Sequence, residues 1–130
     1  MEKSSNEDII KYRLVKSEQT LKEAYDNVKL GNWSLVANRL YYATYYLVLA
    51  VNMKNGDYSK THTGTFSIFS KNYIATGILS REEGNLYRNL FSMRQSGDYD
   101  DFFDWTEKDI KPVLPEVEKL LVKIKKLISA

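Results

Sequence analysis

The stretch 33–55 restricts the fold more than any other part of the chain. At helical spacing, Val36, Leu40, Tyr41, Thr44, Leu47, Val48 and Val51 form one stripe. Leu35, Tyr42, Tyr46, Leu49 and Met53 form a second, and together the two cover most of the circumference. A helix that is apolar nearly all round has to be covered on several sides. In a chain of 130 residues it must be the central element, with one of its sides available to a subunit interface. Its uncharged run, 40–53, is 14 residues long and carries four tyrosines, too short and too polar to cross a bilayer. The opening residues hold no apolar stretch of signal-peptide length, so no membrane association and a cytoplasmic location are expected.

The remaining segments supply the cover. Ile10, Leu14, Ser17, Leu21, Tyr25 and Val28 recur at steps of three and four, which predicts an amphipathic helix over 6–30 ended by Gly31. His62, Phe66, Phe69 and Tyr73 share one face of a shorter helix over 61–76, closed by Gly77. Ser80 and Glu83 fit a capping box for a fourth helix, which Gly97 is expected to end. After the acidic aromatic loop 98–105, Thr106 with Asp109 predicts a new helix start. Pro112 and Pro115 mean that the last helix either begins near Pro112 or bends there. No segment reads as a strand. The expected fold is all-α, a compact up-down bundle of four to five helices in one domain over 1–130.

Composition narrows the chemistry. There is no Cys and a single His, which excludes thiolate nucleophiles, disulfides and multi-His metal sites; no metal and no cofactor is expected. Lys and Arg number 19 against 17 acids, a balance that does not itself predict a nucleic-acid surface. The one histidine, His62, lies in Lys60-Thr61-His62-Thr63-Gly64 at a helix start. It reads either as an acid–base or phosphate-contacting group or as a packing residue on the Phe66/Phe69 face. Arg94 stands beside Tyr87 and Phe91, either to hold a phosphate or to pair with Asp98, Asp100 or Asp101. Asp98, Asp100, Asp101 and Asp104 fail the EF-hand pattern, since Phe103 stands where glycine is needed, and read as a solvated turn. Arg39 with Tyr41, Tyr42, Tyr45 and Tyr46 could stack bases, but a tyrosine-rich core explains the spacing better. Lys119, Lys123, Lys125 and Lys126 read as the solvated face of the last helix. No P-loop, nucleophile elbow or His-Glu-x-x-His is present.

Three blocks carry a family resemblance. Asn38-Arg39-Leu40-Tyr41-Tyr42-Ala43 resembles the Arg-x-Tyr-Tyr-Ala signature of HEPN (higher eukaryotes and prokaryotes nucleotide-binding) domains. Lys60-Thr61-His62-Thr63-Gly64, leading into Phe66 and Phe69, is similar to a second family block. Met93-Arg94-Gln95-Ser96-Gly97-Asp98-Tyr99 is similar to the family's Arg-x-x-x-Asp-Tyr segment. The blocks stand in the family's order, cover 10–130, and look most like its small stand-alone uncharacterised prokaryotic branch.

The resemblance implies a helical homodimer. It also implies one of three roles: a metal-independent ribonuclease of toxin–antitoxin type systems, the partner of a minimal nucleotidyltransferase, or a non-catalytic binding module. Ribonuclease members carry Arg, four to six residues, then His. Here Arg94 matches the Arg, but no His follows it; Asp98 and Tyr99 stand in that window. The expectation is therefore a non-catalytic module that binds a nucleotide, nucleic acid or partner through Arg94, Asp98, Tyr99, Arg39, Tyr42, Lys60 and His62. The alternatives are a divergent endoribonuclease using Arg94 with Asp98, Tyr99 or His62, and a structural or regulatory homodimer without ligand.

Overall fold

The computed structural model describes residues 5–99, without the side chain of Tyr99, and 104–130. Asp100, Asp101 and Phe103, named above, lie outside the described residues. Helix α1 spans Asn6–Leu30, α2 Trp33–Lys54, α3 His62–Phe69, α4 Arg81–Tyr99, α5 Glu107–Ile110 and α6 Leu114–Ser129. No strand occurs among the described residues. The all-α bundle expected from the sequence is the observed fold.

Local chemistry explains most of the boundaries. Ser5 caps α1 by accepting from the Asp8 N–H at 3.1 Å. Gly31, at φ 74°, ends α1 with its N–H on the carbonyls of Asn27 and Val28. At the start of α4, the Glu83 N–H donates to Ser80 Oγ at 3.1 Å and the Ser80 N–H donates to the Glu83 carboxylate at 2.8 Å. Burial would raise the Glu83 carboxyl, but Lys123 on α6, at 2.8 Å, and Ser80 outweigh it and hold the group below its usual range.

Two boundaries depart from the sequence reading. The third helix stops at Phe69, and a π-helical turn, Ser70–Ile74, follows it before the chain reverses at Gly77. Gly97 does not end α4, which runs on to Tyr99 and so takes in Asp98. Gly97 instead permits a close approach: a Cβ there would stand 3.2 Å from the Trp105 ring and 3.3 Å from Ser34 Cβ. Both readings of the last helix hold in part. A helical turn begins after Thr106, whose N–H and hydroxyl donate to Asp109 at 3.2 and 2.8 Å. A 3-10 turn, Lys111–Val113, then carries Pro112 and redirects the chain into α6.

Helix α2 is the centre: 13 of its 22 residues are buried, and α1, α3, α4, α5 and α6 all pack on it. Against α1 the approach is close because the buried residues of α1 are small, Ser17, Thr20 and Ala24. The Ser17 hydroxyl donates to the Ala43 carbonyl at 2.7 Å, which satisfies an otherwise buried polar group. Helix α6 adds Val117, Leu120, Leu121 and Ile124 to the core. No helix among the described residues is long and apolar enough to cross a membrane.

Candidate functional site at the junction of α2, α3 and α4

The site follows from two helical spacings. On α2, Asn38 and Tyr42 are one turn apart, as are Tyr41 and Tyr45. On α4, Tyr87, Phe91, Arg94 and Asp98 fall at i, i+4, i+7 and i+11, a single face. Helix α3 delivers His62 and Phe66 to the same place.

The start of α3 is fixed by the block around His62. Thr61 caps it, accepting from the Gly64 N–H at 2.9 Å. The Ser59 side chain folds over Gly64, where a Cβ would collide with it and would stand 2.8 Å from Thr61 Oγ1. Glycine at 64 is therefore a packing requirement in the first turn of the helix that carries His62. The His62 ring stacks on Tyr45, with centroids 4.4 Å apart at 23°. Its Nδ1 lies 2.6 Å from the Tyr41 hydroxyl. Burial, and then the nearby Arg94 charge, push the His62 pKa below its ordinary value, so the ring is neutral at physiological pH. Burial and the neighbouring Tyr45 raise the Tyr41 pKa despite Arg94, so this phenol stays protonated.

Arg94 is buried, with 7 % of its surface exposed. Its guanidinium carbon lies 5.3 to 5.5 Å from the ring centroids of Tyr41, Tyr42 and Phe91. Nη1 donates to the Tyr42 hydroxyl at 3.3 Å and stands 3.8 Å from Asp98 Oδ2. The same three rings flank His62, at centroid distances of 5.7, 6.1 and 5.9 Å. Residues far apart in sequence, one from α3 and one from α4, thus share one aromatic box.

A polar chain continues from Asp98 to α1. Asn38 Nδ2 donates to Asp98 Oδ2 at 2.9 Å, and Asn38 Oδ1 accepts from Arg39 Nε and Nη2 at 2.9 and 2.7 Å. Arg39 Nη1 pairs with Glu23 at 3.1 Å, and its guanidinium lies over Tyr42 at 5.5 Å. Arg39 therefore faces α1 and meets the Arg94 box through Asn38 and the Tyr42 ring. Lys60 is exposed, two residues ahead of His62. The side chain of Tyr99 lies outside the described residues. Tyr41 and Tyr45 are core residues, whereas Tyr42 is partly exposed. No group of three or more metal-ligating side chains occurs among the described residues.

The sequence reading placed Phe91 beside Arg94 but assigned no role to Asn38 or Glu23 at this site, and it did not pair Tyr41 with His62. The i, i+4 relation of Asn38 to Tyr42 was the one available signal for the first of these.

Residues 10–127 match the family model described as HEPN domain. The chain belongs to the HEPN domain family. Within it, this HEPN chain is 30 % identical over 126 residues to a UPF0332 protein of Thermotoga maritima, covering 97 % of this chain and 96 % of that one. It is also 25 % identical over 111 residues to a Methanocaldococcus jannaschii protein named "Putative toxin MJ0142", covering 85 % of this chain and 76 % of the other. In this HEPN domain, Arg94 of α4 and His62 of α3 share one box of rings.

Proposed function

We propose that this HEPN domain is a non-catalytic module of a toxin–antitoxin type system that binds the phosphate of a nucleotide or RNA where α3 meets α4. The observation that carries this reading is the enclosure of Arg94. Three rings, Tyr42 and Asp98 already engage its guanidinium. A bidentate grip on a phosphate would require it to leave them. Arg94 acts instead as fixed positive charge behind His62, and a phosphate would meet His62 and the exposed Lys60. The name of the M. jannaschii relative supports the toxin-type setting.

A divergent metal-independent endoribonuclease is the second reading, favoured by the neutral His62 in the same aromatic box as Arg94. A neutral imidazole can take a proton from a ribose 2′-hydroxyl, and a nearby cation can stabilise the charge that develops on phosphorus oxygens. The deciding experiment incubates the purified chain with total RNA beside Arg94→Ala and His62→Ala variants. The expected result is RNA retention in a gel-shift assay, weakened in both variants, with intact RNA throughout. Cleavage by the wild-type chain that disappears in both variants would replace the first reading with the second. Neither binding nor cleavage, with stable capture of a co-expressed nucleotidyltransferase, would move the function to a protein partner.

A further inference from the structure

Tyr41 and Tyr87, buried beside His62 at 1 and 2 % exposure, take no part in the phosphate contact. Their rings stack with centroids 6.1 Å apart at 20°. The Tyr41 hydroxyl lies 2.6 Å from His62 Nδ1. Burial dominates the ionisation of both phenols and keeps them protonated; beyond it, the hydrogen bond between their hydroxyls lowers the Tyr41 pKa and raises that of Tyr87. That pair of directions belongs to a bond which Tyr87 donates and Tyr41 accepts. No further partner for the Tyr87 hydroxyl occurs among the described residues.

Proton counting fixes the direction of the rest of the chain. Tyr87, Tyr41 and a neutral His62 hold three polar hydrogens, one each. Two bonds join the three groups, so one hydrogen points away. If Nδ1 carried the imidazole hydrogen, it would donate to Tyr41 and Tyr41 would donate to Tyr87. The Tyr87 hydrogen would then be buried with no acceptor, which a folded chain rarely keeps. In the opposite direction Tyr87 donates to Tyr41, Tyr41 donates to Nδ1, and the remaining hydrogen is on Nε2. That nitrogen has room for it. His62 is only partly buried and, with Phe66, Arg88 and Phe91, lines a cleft of about 340 Å³ between α3 and α4. Nε2 has no hydrogen-bond partner among the described residues, and no carboxylate lines the cleft to take its hydrogen.

We infer that Tyr41 is a positioning residue that locks the His62 imidazole in the tautomer with its hydrogen on Nε2, so that the histidine meets the cleft as a hydrogen-bond donor and selects ligands with an acceptor oxygen, such as that of an ionised phosphate. Which nitrogen of a histidine carries the proton is set by the bond the other one makes. The tautomer follows from the protein alone; the choice of phosphate as the acceptor rests on the binding reading above. In this tautomer Nδ1 accepts from Tyr41 and Nε2 already carries a hydrogen. Neither nitrogen is open to a proton from a ribose hydroxyl, so the lock favours holding an anion over acid–base work.

The chain has a single histidine, so every imidazole signal of a sample with isotope-labelled histidine belongs to His62. Two-bond nitrogen–proton correlations at roughly pH 8, where the ring is neutral, read the tautomer directly. The urea-unfolded chain supplies the unconstrained mixture. The folded wild type is expected to show Nε2 protonated and Nδ1 accepting a hydrogen bond. Tyr41→Phe keeps the ring and loses that bond, and should raise the minor tautomer about tenfold, toward the unfolded mixture. Tyr87→Phe disturbs the same stack but leaves the Tyr41 hydrogen no acceptor except Nδ1, so the tautomer should not change. Inorganic phosphate titrated into the wild type should shift Nε2 and its hydrogen. A wild-type ring protonated on Nδ1, a ratio unchanged in Tyr41→Phe, or an equal change in both variants would overturn the inference whether or not phosphate binds. The expected tautomer with an Nε2 signal that phosphate leaves unmoved would uphold the lock and remove the phosphate reading alone.

Discussion

The two sides of α2 are built on opposite principles. One carries Val36, Leu40, Leu47, Val48 and Val51, all 0 % exposed. Its stability comes from area removed from water and from dense packing, and each residue contributes by its volume. The other carries Tyr41, Tyr42 and Tyr45 around a buried arginine and a histidine. There each group is tolerated only because named partners hold it: Tyr42 and Asp98 for Arg94, Tyr41 for His62. The apolar side is robust to chemistry and sensitive to size. The tyrosine side is sensitive to chemistry, and a fold that needed only stability would not require it.

The comparison can be broken at both ends. The largest effect is expected from Leu47→Ala, which removes a fully buried side chain from the apolar side. It should cost about 3 kcal/mol in urea unfolding and lower the melting temperature by roughly 10 °C, while leaving RNA binding of the folded fraction unchanged. Loss of binding in proportion to the destabilisation would show that the two sides are not separable. Gly64→Ala comes next, at about 1–2 kcal/mol, because the added methyl must displace Ser59 and disturb the cap of α3. Unlike Leu47→Ala, it should also break the Tyr41–His62 contact, visible as a changed imidazole resonance.

The smallest effect is one of pH. The folded pKa of His62 lies below the ordinary value of about 6.5, so the unfolded chain binds the proton more readily. As pH falls below about 6.5, the unfolded state gains protons first and stability declines until the folded-state pKa is passed. Denaturation measured from pH 7 to 5 should show a steeper decline in the wild type than in His62→Gln. Equal slopes would mean that the imidazole is no more shielded than in water.

Much of the bundle was legible because its signals are local. The stripe of α2, the Gly31 cap of α1 and the Ser80–Glu83 box each depend on residues within a few positions of one another. Gly97 misled because a glycine after an apolar stripe normally signals a helix end, whereas here it admits Trp105 and Ser34, which are distant in sequence. The π-helical turn after Phe69 leaves no recognisable residue pattern. At the site, the family blocks pointed to Arg94 and His62 separately. Their meeting depends on the ring positions of Tyr41, Tyr42 and Phe91, which arise only when three helices are packed. Asn38 was visible as part of a block, but its role needs Asp98 to lie in α4 and not in a loop, so the misplaced end of that helix concealed it.

The polar chain from α1 to α4 has a consequence for how this protein would respond to ionic strength. Glu23, Arg39, Asn38, Asp98 and Arg94 alternate in sign and sum to zero net charge. Two of the arginines nearest the site therefore have little free charge to displace counterions from a polyanion. Among the described residues beside His62, Lys60 and Arg88 form no ion pair and can do so, and single-stranded nucleic acid releases about 0.7 ion for each phosphate neutralised. A plot of log affinity against log salt should then have a slope of roughly −1.4, shallow for a domain that presents four cations around one site.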